Sequence, residues 1–136
     1  MIRNMQIWKI ILMALSFSLV PVIHGQEKLQ VAYVDVYPII VTNYLRPKGR
    51  KPGFVQLEIE IAAYGPTALE TIEKHLPLIR DTIIEHISFT EEAKIKDISQ
   101  RSAIRSELKD KINKVLEKHV GYAYADDLVI TRFMWD

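Results

Sequence analysis

The sequence predicts an α+β domain: one small sheet covered by two helices, in the order β-β-α-α-β, after an N-terminal hydrophobic segment. Three observations predict it. Val55, Leu57, Ile59 and Ile61 alternate with Gln56, Glu58 and Glu60, the period of a strand with one face buried and one wet. Leu69, Ile72, Leu76, Ile79, Ile83 and Ile87 repeat every three or four residues, which is one stripe on a helix. Ile104, Leu108, Ile112 and Val115 or Leu116 repeat in the same way.

Residues 1–25 read as an export segment. Arg3 and Lys9 make a basic start, and Ile10 to Ile23 is an uncharged, mostly apolar run. Its 14 residues would span roughly 21 Å as a helix, at about 1.5 Å per residue, against a hydrocarbon core of roughly 30 Å. Such a run fits a signal-peptide core, with Gly25 before a cleavage point at Gln26. An uncleaved anchor is the other reading, with Lys9 snorkelling so that Ile7 and Trp8 join the span. Either way the two cations hold the N-terminus in the cytoplasm, and residues 26–136 form a single exported domain.

Residues 28–44, from Leu29 to Val41 and beyond, read as strand, with Pro38 marking a break, a bulge or an edge because it cannot donate to a ladder. Residues 45–53 read as a turn that carries Arg46, Lys48, Arg50 and Lys51, a candidate contact loop for headgroups, peptidoglycan or an acidic partner. Residues 54–63 are the clear strand, ended by Gly65-Pro66, with Thr67 as the expected helix cap. The helical stripe then runs on to Ile87, bent at Pro77. Arg80 and Asp81 are adjacent, so they point apart and do not pair. A connector over 89–98 can begin a helical turn at Thr90-Glu91-Glu92. Asp97 and Gln100 suggest a capping box for a helix over 98–118, which Gly121 stops. Residues 127–135 read as a last strand, with Leu128, Ile130 and Met134 on one face and Val129, Phe133 and Trp135 on the other.

The chain has no cysteine, which removes disulfides, thiolate nucleophiles and Cys-based metal sites. Outside the export segment 16 basic residues face 17 acidic ones, so nucleic acid is not an expected partner. His75 and His86 are eleven residues apart, so they share a helix face, but they lie about 16 Å apart along its axis, too far for one metal ion. His24 lies in the export segment and His119 near a helix end. The acid pairs Asp81 with Glu85, Glu91-Glu92 and Asp126-Asp127 read as solvated faces or caps, since nothing places them across a cleft. No nucleophile elbow, metalloprotease, P-loop or dinucleotide pattern is present. These residues predict no enzyme, no cofactor and no metal.

One stretch carries a family resemblance. Pro77-Leu78-Ile79-Arg80-Asp81-Thr82-Ile83-Ile84, followed by Ile87-Ser88, resembles the P-x-I-R-D-x-I-I…L-S core of FliL, the flagellar basal-body-associated protein. Tyr33 to Asn43, with Pro38 and Asn43, is similar to that family's opening strand, and Phe54-Val55-Gln56-Leu57 to its second. Ile104-Arg105, Glu107-Leu108 and Ile112-Asn113-Lys114-Val115-Leu116 resemble its last helix, and Val129 to Met134, with Thr131 and Phe133, its closing strand. Gln100 and Asp136 depart from the family's glycine and glutamine.

The resemblance implies a stomatin-type (SPFH-like) fold and a non-enzymatic accessory of the flagellar motor. It implies a place at the inner membrane with the domain on the periplasmic side, and homo-oligomeric rings around MotA–MotB stator units that support torque, swimming and swarming. It marks Pro38, Asn43, Pro77, Arg80, Asp81, Asn113, Thr131 and Phe133 as family-motif residues of structural role. A soluble periplasmic binding module for an envelope component, unrelated to motility, is the alternative.

Overall fold

A computed structural model of the chain describes residues 30–48 and 50–136. The expected export segment, His24 and the start of the first strand at Leu29 lie outside the described residues. Among the described residues, no helix is long and apolar enough to cross a membrane.

The sheet is built on β3 (Gly53–Tyr64), whose twelve residues alternate as the sequence predicts, with Val55, Leu57, Ile59 and Ile61 all buried. β1 (Val31–Asp35) pairs antiparallel with Glu60–Tyr64, and β2 (Ile40–Tyr44) with Gly53–Leu57. β4 (Asp127–Trp135) pairs antiparallel with Val55–Ala62, a span that overlaps both. β4 therefore takes one edge of β3, while β1 and β2 lie end to end along the other. Between Asp35 and Ile40 the chain advances five positions while their partners, Glu60 and Leu57, are three apart. The expected single strand over 28–44 is thus two strands separated by an interruption at Val36–Ile39. Pro38, in a cis peptide bond after Tyr37, sits at its centre, where no ladder N–H is required.

One face of the sheet is covered by helices. The expected bent helix is two helices, α1 (Pro66–Lys74) and α2 (Leu76–Ser88), which meet at His75 (φ −104°, ψ 11°). Pro77 in the first turn of α2 has no N–H to continue the α1 ladder, so the helix restarts there. His75 and His86 consequently do not share one continuous helix face. Thr67 is not the cap: α1 begins at Pro66, whose missing N–H suits the first helical position, and the residue before it is Gly65.

After α2 a short helix α3 (Glu92–Lys96) and one 3₁₀ turn (Ile98–Gln100) lead into α4 (Arg101–Val120). The Asp97 side chain accepts from Ser99 N (2.9 Å), so it caps the 3₁₀ turn, and Gln100 makes no reciprocal cap bond. α4 ends at Gly121 in the left-handed region (φ 83°), whose N–H donates to the Glu117 carbonyl. Asn113 then latches the return to β4: its Nδ2 donates to Ala125 O (2.8 Å) and its Oδ1 accepts from Ala125 N (3.0 Å).

The core lies between the helices and the inner face of the sheet. Ile72, Ile79, Ile83 and Ile87 meet Ile104, Leu108, Ile112 and Leu116, all fully buried, above Leu57, Ile61 and Leu128. Leu116, not Val115, completes the α4 stripe. Each such side chain contributes about 1.5–3 kcal/mol by leaving water.

In β4 the faces divide differently from the expectation. Glu58 pairs with Arg132 and Ile59 with Ile130, so Thr131 is an extra residue in a bulge. The bulge resets the alternation. Leu128, Ile130, Phe133 and Trp135 stand opposite the inward residues Ile61, Ile59, Leu57 and Val55, whereas Met134 is outward and 54% exposed.

Tyr44 at the end of β2 is buried and lies over the backbone of Gly53. A Cβ at Gly53 would overlap the Tyr44 ring and come within 2.6 Å of Arg46 Nε. Gly53→Ala is expected to destabilise the domain by about 1–3 kcal/mol, the usual cost of overpacking, and to lower Tm in a thermal melt. An unchanged melt would show that Tyr44 moves aside without penalty.

Candidate interaction surface

Three clusters of polar and aromatic side chains stand out once the fold is in place. The first ties the basic turn down. Glu92, at the start of α3, accepts from Arg46 Nε (3.2 Å), Arg50 Nη1 (3.0 Å) and Lys96 Nζ (2.9 Å). Lys96 leads the three cations in holding the Glu92 carboxyl below the usual carboxylate range. Arg46 also donates to Tyr44 Oη (2.6 Å), Lys51 O (3.0 Å) and the main-chain oxygen of Asp136 (2.8 Å). Of the four cations expected at a contact loop, Arg46 and Arg50 are thus committed to internal ion pairs. Lys48 and Lys51 point outward.

The second cluster joins α2 to the following helices. Glu107 on α4 receives His86 Nε2 (3.1 Å) and the ammonium of Lys94 on α3. Burial pushes the His86 imidazole below its ordinary value of 6.5, against the opposing pull of Glu107. The hydrogen bond from Lys94 holds the Glu107 carboxyl down.

The third is an open groove between the start of α4 and the edge of β4, with a volume of about 590 Å³. The 3₁₀ turn capped by Asp97 delivers Arg101 to it, and the bulge at Thr131 turns Phe133 and Trp135 toward it. Arg101 Cζ lies 3.2 Å from the Phe133 ring centroid and 4.8 Å from that of Trp135. Both aromatic faces attract the cation. Its Nη1 is fully enclosed and has no hydrogen-bond partner among the described residues, a state that costs about 1–3 kcal/mol or more for a charged group. The groove is lined by Ile98, Arg101, Ser102, Arg105, Val129, Ile130, Phe133 and Trp135, two arginines and no acid. Arg105 has Asp127 only at 3.9 Å. No strand pairs with the outer edge of β4 among the described residues.

The structure places the family-motif residues in separate roles. Arg80 reaches from α2 to the interruption in the edge strand, where its Nη1 donates to the carbonyls of Pro38 and, at 3.4 Å, Val36. Pro38 and Arg80 are thereby brought together across 42 residues of chain. Asp81 and Pro77 are exposed on α2, and Asn43 on the outer face of β2 opposite Phe54. Asn113 is the latch described above. Thr131 forms the bulge and Phe133 the floor of the groove. Arg101 and Tyr44 carry no signal in the sequence, and Glu92 reads there only as an acid at a helix start. Arg101 lies 32 positions from Phe133, and no local pattern marks a contact made across that separation. Among the described residues no group of three or more His, Asp or Glu side chains is placed to hold a metal ion.

Residues 33–135 match the family model for the flagellar basal body-associated protein FliL. No curated protein matches the chain. The match covers most of the sequence, from the first strand to the end of β4, and the chain belongs to the FliL family.

Two outcomes follow from these contacts. Arg80→Ala is expected to cost about 1.5–3 kcal/mol in urea unfolding, the range for hydrogen bonds to a charged group, while Asp81→Ala stays within about 0.5 kcal/mol. Equal losses would mean that Arg80 does not pin the interruption. Because the folded His86 pKa lies below its unfolded value, the unfolded chain binds more protons, so stability is lost as pH falls through about 6.5. The depressed Glu107 adds a loss of the same sign at lower pH, as it nears the carboxylate range. Unfolding midpoints between pH 8 and pH 5 should therefore decline, and His86→Gln should flatten the upper part of that decline. A parallel decline in the variant would clear His86 of the effect.

Proposed function

We propose that this member of the FliL family is a non-enzymatic accessory of the bacterial flagellar motor, held at the inner membrane with residues 26–136 on the periplasmic side. It associates there with the basal body and with MotA–MotB stator units, as a homo-oligomeric ring that supports torque, swimming and swarming. Its action is mechanical: it holds the periplasmic part of a stator in the extended, ion-conducting state. The family match over residues 33–135 is the observation that carries this reading.

The distribution of contacts supports a division of labour. The helix layer is occupied with internal work: Arg80 holds the edge strand, and His86 holds Glu107. The outward features belong to the sheet and its loops. These are the open edge of β4, the groove beside it, and an outer sheet face that exposes Tyr33, Val41, Phe54 and Met134. Partner contacts therefore fall on sheet edges and loops, and α2 is structural. A folded Arg80→Ala/Asp81→Ala protein is expected to keep its association with stators in co-purification. A folded double variant that loses it would place the contact on α2.

A deletion strain tests the function. Normal flagellar number with a swimming defect that grows with the viscosity of the medium is the expected result. Unchanged motility at every load would overturn the motor role and favour a soluble periplasmic binding module for an envelope component.

A further inference from the structure

We infer that the open edge of β4 and the Arg101 groove beside it form a receptor for an extended segment of another protein, one that brings a carboxylate to Arg101. The inference rests on the partner-docking reading above only in treating the sheet edge as a contact surface, and its test needs no flagellar component.

Three independent features of the edge meet at this point. The first is the strand itself. Among the described residues β4 is paired on one side only, and its nine residues contain no proline to block addition of a further strand. The opposite edge of the sheet is interrupted at Pro38 and braced by Arg80. The groove runs past both halves of β4, and the bulge at Thr131 divides its edge, so an added strand pairs with Arg132–Trp135, the half that carries the two groove aromatics.

The second feature is the groove floor. A strand laid beside Arg132–Trp135 sends alternate side chains to the inner face. There they meet Phe133, Trp135 and Ile98, which are partly or wholly exposed, with Ile98 at 75%. The groove thus has an apolar seat in register with such a strand.

The third feature is charge. The Phe133 and Trp135 rings attract the Arg101 cation and enclose its Nη1, while Arg101 also lines the open groove with no acidic partner among the described residues. Arg105 stands beside it with a distant partner, and no acidic side chain lines the groove. A carboxylate entering on the added strand meets the groove-facing side of this planar, forked donor, with Arg105 beside it. Serine and threonine side chains would satisfy one N–H without neutralising the charge. The occupant is therefore an extended segment with an acidic residue flanked by β-branched residues, not a helix and not a neutral strand.

The test uses the whole ¹⁵N-labelled chain in mild detergent and two blocked heptapeptides, Thr-Val-Thr-Glu-Thr-Val-Thr and the same peptide with Gln for Glu. The glutamate peptide is expected to shift the backbone amides of Arg132–Trp135 and the Trp135 indole in a saturable way. The glutamine peptide should bind at least about tenfold more weakly. Arg101→Gln should remove that preference. Ser102→Glu, which places an anion in the groove from within, should abolish binding of the glutamate peptide. An unchanged pattern of amide signals away from the groove shows that each variant is folded.

Equal binding of the two peptides would overturn the proposal. So would shifts confined to the outer face around Val41 and Phe54, or no binding at millimolar peptide. Concentration-dependent self-association that Ser102→Glu abolishes would overturn it too, by showing that a second copy of this chain occupies the groove.

Discussion

The pairing of β3 along both of its edges is the constraint on which the rest of the molecule depends. Its inward residues are all buried, and every other described strand is attached to the sheet through it. A half-buried strand has a period of two, so slipping any partner by one residue would turn that partner's apolar set to water. The two places where the partners depart from simple pairing are therefore informative. Each is braced by a specific side chain: Arg80 at the Val36–Ile39 interruption and Thr131, whose hydroxyl reaches the Glu58 carbonyl, at the β4 bulge.

These two irregularities separate the structural side of the domain from its receptive side. At the interruption α2 offers a guanidinium to the carbonyls of Val36 and Pro38. That contact ties the helix layer to the sheet edge and leaves the edge unsuited to a further strand. At the bulge the effect is opposite. The extra residue turns Phe133 and Trp135 to the inner face near a sheet edge that no other described strand pairs, and Arg101 stacks on them without an acceptor for its Nη1 among the described residues. One edge is closed by a charged hydrogen bond, and the other is left with a charge and no partner.

Electrostatics elsewhere is used to hold short elements in place. Glu92 gathers three cations, Arg46 and Arg50 from the turn after β2 and Lys96 from α3, and Glu107 joins α2, α3 and α4 through His86 and Lys94. Such pairs contribute modestly where they are exposed. Their value here is geometric: α3 has only five residues and one buried side chain, Ile95, so packing alone leaves its orientation loosely determined.

What the sequence by itself determined is what local periodicity encodes. The α+β class, the β3 strand, the α2 and α4 stripes and the Gly121 stop follow from side chains repeating every two or every 3.6 residues and from a glycine past a helix end. The family motif was legible for the same reason, since its residues recur in a fixed local order. What only the tertiary structure decided depends on residues far apart in the chain. Met134 lies on the outer face, against the simple alternation of β4, because a bulge is a property of two strands and leaves no mark in one. Arg46 read as a contact cation because its partners, Glu92 and Asp136, lie 46 and 90 positions away. Arg101 carried no signal at all until β4 was laid beside α4, because an arginine without an acceptor is visible only when the surfaces that enclose it have been assembled.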